Sequence, residues 1–149
     1  MGSYDELSVG DAFSTPERTL DEDLVRSLIA TGGFTHPLFT DPRWAEASRF
    51  GRTPLPGQAI LLLLGGLVEQ TGKFDDTVIA LTGFDEVRFI APAFAGDTVR
   101  GTIEVIAKQP SSSGTRGTLV MAWLCVNEHG ETLAAATARM LFRRNGDSS

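Results

Sequence analysis

Proton chemistry near neutral pH has few carriers in this chain: two histidines and one cysteine. His36 lies in the segment Gly32-Gly33-Phe34-Thr35-His36-Pro37-Leu38-Phe39-Thr40-Asp41. An imidazole, with an ordinary pKa of about 6.5, can serve there as acid or base. The structural alternative is a loop histidine that bonds the backbone. Thr35 and Thr40 can position a nucleophile or cap a turn. Asp41, followed by Pro42, reads as a helix cap. His129 sits in the turn Asn127-Glu128-His129-Gly130 and is expected to face solvent. Cys125 lies in an apolar stretch, where a buried small hydrophobe is the expected role rather than a nucleophile. A single cysteine forms no internal disulfide, which suits a reducing cytoplasm.

The elements that must position these groups follow from composition and period. With 149 residues, 42% of them hydrophobic and 21% charged, the chain is expected to form one domain over residues 1–149 with its own core. A net charge of -6, with no basic run interleaved with aromatics, argues against nucleic acid as a partner. The start MGSYDELSVGD carries no signal-peptide apolar region. The longest apolar run, residues 59–68, is too short to span a bilayer.

Leu20, Leu24, Val25, Leu28 and Ile29 form one helical stripe. Thr19 is its expected cap, Glu22 completes a capping box, and Gly32-Gly33 ends it. A loop over residues 34–40 precedes a short helix from Asp41-Pro42 to Ser48. The run GQAILLLLGGLVEQTG is apolar nearly all round, so a helix within residues 56–72 is expected to be buried on most sides. Gly65-Gly66 weakens that helix but lets another backbone approach closely. After it the period changes to two. Strands are expected over residues 77–82, 86–90, 99–108, 119–126 and 132–143, with 119–126 central because it is apolar on both faces. One long helix followed by an antiparallel sheet able to wrap it is an α+β arrangement of the hot-dog kind.

The runs HPLFTDPRWAEASRFG, PGQAILLLLGGLVEQTG and FDEVRFIAPAFAGDTVRGTIEV resemble the MaoC-like dehydratase family, which includes (R)-specific enoyl-CoA hydratases. The resemblance covers roughly residues 9–142. It implies a hot-dog fold, a homodimer or a heterodimer, and an acyl thioester substrate carried on coenzyme A or acyl carrier protein. It implies no metal and no redox cofactor. Family members carry a loop GD-x-NP-x-H-x-D whose Asp and His hold the water that adds to an enoyl double bond. Aligned on Pro37-Leu38-x-Thr40-Asp41, the histidine position is Phe39, and the acid falls at or near Gly33 with one extra loop residue. Both members of the dyad are absent. His36 is then the remaining candidate for proton transfer. The resemblance further implies that the Gly57 N–H, at the start of the long helix, receives the thioester carbonyl. A helix N-terminus offers free donors and positive potential to such an oxygen. Gln58 adds an amide donor, and Thr35, Phe39 and Gln58 are candidates to contact the substrate. Glu69 stands roughly 18 Å from Gly57 along the helix and belongs elsewhere.

Three functions remain open on these residues. One is a hydratase or dehydratase using His36. Another is a thioesterase, or an enzyme that adds a nucleophile other than water. The third is a non-catalytic subunit that stabilises an active, dyad-bearing relative.

Overall fold

The computed structural model describes residues 3–144. After a short 3-10 turn at Tyr4–Glu6 the chain enters β1 (Ala12–Thr19). Nothing in the sequence announces this strand. Only Thr15 on it is buried, and Pro16 sits where its pairing with a later strand shifts register between Ser14 and Glu17. Proline is tolerated there because β1 is an edge strand.

Helix α1 (Glu22–Gly32) starts later than the stripe suggests. Its cap is Asp21, whose Oδ1 accepts from the Leu24 N–H at 2.7 Å. The expected cap, Thr19, ends β1 instead, with its hydroxyl 2.9 Å from that of Thr98. Gly33, at φ 72°, ends the helix in the left-handed conformation that glycine adopts freely. Two short helices follow, α2 (Pro37–Thr40) within the expected loop and α3 (Pro42–Ala47) at the expected place.

The long helix is α4 (Gly57–Glu69). Leu64 and Leu67 are fully buried against the sheet, each stabilising the fold by roughly 2 kcal/mol. Only one narrow stripe of the helix, Gln58, Leu62 and Glu69, is exposed, with Leu62 at 65%, so α4 is buried on most sides as expected. The sheet's own glycine makes the close approach. A Cβ on Gly101 would lie 2.7 Å from Leu64 Cδ1, whereas one on Gly65 or Gly66 would meet nothing within 4 Å.

The sheet is completed by β2 (Val78–Phe89), β3 (Thr98–Pro110), β4 (Arg116–Asn127) and β5 (Thr132–Arg143). All pairs are antiparallel, in the order β1-β3-β4-β5-β2. The apolar strand β4 is central, as expected. The two short strands expected over residues 77–90 are one strand, because Gly83, Phe84 and Asp85 stay paired with Arg139, Ala138 and Thr137. Three register shifts bend it, and Glu86 adopts φ 52° at one of them. The core lies between α4 and the concave face of the sheet, the α+β hot-dog arrangement. Among the described residues, no helix is long and apolar enough to cross a membrane.

Candidate functional site

The loop after α1 folds on its aromatic residues. Phe34 turns back over Gly32, where a Cβ would collide with its ring. It then meets Phe39 edge to face, with ring centroids 5.6 Å apart. Counting back from Pro37 in the motif GD-x-NP-x-H-x-D places the acid at Phe34, with Gly33 as the motif glycine and no inserted residue. The two positions that would form the water-holding dyad are therefore two phenyl rings in contact. This pair was not read from the sequence, although its spacing contains it.

His36 is the N-cap of α2. Its Nδ1 accepts from the Leu38 N–H at 3.0 Å, and its ring stands 5.0 Å from Trp44, edge to face. With Nδ1 accepting, the neutral tautomer carries its proton on Nε2. The Thr40 hydroxyl donates to the His36 carbonyl at 3.3 Å, and Asp41 caps α3 by accepting from the Arg43 N–H at 3.0 Å. Thr35 and His36 are both exposed on this turn. The bonds of His36, Thr40 and Asp41 are those of capping groups.

Gly57 opens α4 after Pro56, and no side chain caps that end. Ala59 and Ile60 N–H bond the Pro56 carbonyl, while no acceptor meets the Gly57 or Gln58 N–H among the described residues. A Cβ at Gly57 would lie 2.9 Å from the Phe89 ring, so only glycine leaves room beside that phenyl. Gly57, Phe39, Ile60, Phe89 and Arg49 line one cavity of about 260 Å³. Phe39 also borders a neighbouring cavity of about 410 Å³ that holds Arg26, Arg52, Glu22 and Glu46. Of the candidates, Phe39 and Gly57 thus meet in one cavity, which His36 and Thr35 do not line. Gln58 faces the other flank of α4, on a cavity of about 650 Å³. Phe89 and Arg49 were missed because nothing local distinguishes them from other strand and loop residues.

Cys125 is buried on β4, and burial pushes its thiol up to about 11. A nucleophile needs the thiolate, so this sulfur is inert at neutral pH. No group of three or more His, Cys, Asp or Glu residues able to hold a metal occurs among the described residues.

A profile of the MaoC like domain family matches residues 6–122. Protein MaoC of Klebsiella aerogenes is 31% identical over 97 residues, which is 65% of this chain and 28% of that protein. The chain thus matches well under half the length of that curated relative. Among solved structures, the monoamine oxidase regulatory protein from Archaeoglobus fulgius superposes with a TM-score of 0.88 at 27% identity, covering 96% of this chain and 95% of that one. The C-terminally truncated HadBC complex of Mycobacterium tuberculosis, a 3R-hydroxyacyl-ACP dehydratase, shares the fold with a TM-score of 0.73 at 16% identity, covering 89% and 96%.

Proposed function

Because this chain belongs to the MaoC like domain family, we propose that it binds an acyl thioester at the Gly57 end of α4 without itself adding water to it. The observation that carries this reading is the Phe34–Phe39 ring pair at the dyad positions. Neither ring can take or give a proton, and neither offers the polar atoms that would hold a water at the dyad positions. His36 does not replace them, since it stands exposed on the α2 turn and does not line the Gly57 cavity. What favours retained binding is the uncapped α4 N-terminus opening on an apolar cavity with Arg49 at its wall. The carbonyl would accept from the Gly57 N–H, and the guanidinium suits the phosphate that coenzyme A and phosphopantetheine both carry. No metal or redox cofactor enters this scheme.

Such a protein would work as the binding subunit beside a dyad-bearing relative. The cytoplasm, where these thioesters are made and used, is the corresponding compartment. The test is incubation of the pure protein with crotonyl and longer enoyl thioesters, read by calorimetry and mass spectrometry. Saturable binding with unchanged ligand mass is expected, and His36→Ala should bind as the wild type does. Hydration by the wild type, lost in His36→Ala, would return the protein to the hydratases. Hydrolysis to the free acid would make it a thioesterase.

A further inference from the structure

Strand β2 carries one residue too many for its partner. Asp85 pairs with Thr137 and Arg88 with Ala135, so three steps on β2 span two on β5. The bulge is held at Glu86, whose φ of 52° is the only positive value at a non-glycine position among the described residues. Such a conformation is costly and persists only where its surroundings enforce it. The extra residue sets where Phe89 points. Side chains alternate along a strand, so Phe84 and Phe89 would lie on opposite faces of a regular β2. Phe84 instead pairs with Ala138 and Phe89 with Ala134, and both alanines are buried on the concave face. Directly paired residues share a face, so the bulge returns Phe89 to the side of α4.

The core does not use this aim. Phe89 is 48% exposed and stands outside the apolar core. What its ring meets is the start of α4, where a Cβ on Gly57 would lie 2.9 Å from Cγ and 3.1 Å from each Cδ. Phe89 lines the cavity of about 260 Å³ with Gly57 and Phe39, and takes no part in the wall that Leu62, Ile79 and Leu81 form elsewhere. We infer that Phe89, aimed by the Glu86 bulge, selects the acyl groups that the Gly57 cavity admits: those unbranched at the carbon next to the thioester carbonyl. The inference rests on the acyl-thioester reading and deepens it by naming the acyl class. A carbonyl oxygen accepting from the Gly57 N–H lies about 2.9 Å from that nitrogen, and the α carbon follows two bonds later. The ring already leaves no room for a methyl-sized atom on Gly57, and a methyl on that α carbon meets the same obstruction. A branch one carbon further along lies beyond it. Phe39, on the same cavity, is braced by Phe34 and does not yield the space from its side.

The test is calorimetry on the full chain with pantetheine thioesters of butanoate, 3-methylbutanoate and 2-methylbutanoate. The last two have the same atoms and differ only in the place of the branch. The wild type is expected to bind the 2-methyl isomer at least roughly tenfold more weakly than the 3-methyl isomer. Phe89→Ala should bring the two within about threefold. Its fold is preserved, because the side chain it shortens is half-exposed and outside the core. Deletion of Glu86 makes β2 regular and turns Phe89 to the convex face, so discrimination should vanish with the phenyl still present. Glu86→Gly keeps the bulge, since glycine adopts the positive φ freely, and should gain stability with discrimination intact. The inference is overturned if the wild type binds both isomers alike, or if discrimination survives Phe89→Ala or a folded Glu86 deletion. Loss of discrimination in Glu86→Gly would also overturn it. Thioesters bound without regard to branching leave the thioester reading standing and remove this inference alone. A wild type that binds none of the three removes that reading, and this inference with it.

Discussion

A thiol on the central strand, surrounded by apolar side chains, has no water to stabilise its anion. The consequence for Cys125 is measurable. With its pKa pushed up to about 11, the folded protein should leave a disulfide reagent unreacted at neutral pH and react only on unfolding. Fast labelling of the native protein would contradict its burial. The linkage has a definite sign. The unfolded thiol ionises near 9 and the folded one only near 11, so the unfolded state loses its proton first and stability falls between those values. The loss is on the order of 2 kcal/mol and should show in denaturant midpoints measured across that window. The loop residues follow another logic, in which shape replaces charge. Converting Phe34→Asp together with Phe39→His rebuilds both dyad positions on the existing spacing. Hydration of an enoyl thioester by that variant, absent from the wild type, is the expected outcome. A folded but silent variant would mean that the cavity wall holds the pair out of reach of the double bond, since small misplacements are heavily penalised in such chemistry.

At the scale of elements, the start of α1 separates two readings of the same residues. A capping box from Thr19 to Glu22 is a sound pattern, but Thr19 is engaged with Thr98 across the sheet, and Asp21 does the capping. Asp21→Ala should therefore cost about 1 kcal/mol in chemical denaturation, and Thr19→Ala should cost less. The reverse order would restore the earlier helix start. Legibility varied with how strongly each element is patterned. α4 was readable because its apolar run is long, and β3, β4 and β5 because burial alternates or saturates along them. β1 was invisible because an edge strand with one buried residue has no apolar period to display. β2 was read as two strands because its exposed side chains and its bends break the alternation that continuous pairing to β5 preserves. For the site, Gly57 and Phe39 could be placed from family spacing, and the structure brings them to one cavity. The Phe34 ring against Phe39 and the Phe89 ring over Gly57 depend on tertiary contacts that no local pattern encodes.

At the scale of the whole molecule, the two free edges of the sheet are built differently. β1 carries Pro16, Glu17 and Arg18 beside a register shift, features that discourage another strand from pairing. β2 presents Val78, Ile79, Leu81, Val87 and Phe89, each more than a third exposed, beside the bare Leu62 of α4. One edge is protected and the other is apolar and open. An apolar face of this extent is characteristic of a surface that is covered. A twofold axis beside β2 would lay this strand antiparallel to its own copy, continue the sheet, and bury Leu62, Ile79 and Leu81 together. A dyad-bearing relative with the same edge would fit the same way. The pure protein should then scatter light as a dimer at micromolar concentration. Ile79→Lys with Leu81→Lys should yield folded monomers, because two cations per protomer would be driven into the apolar seam. A wild type that is monomeric at that concentration, and that stays alone when mixed with a dyad-bearing relative, would show that this edge is covered by neither. The distinct finish of the β1 edge predicts that lysines introduced there, at Ser14 or Thr19, leave the dimer intact.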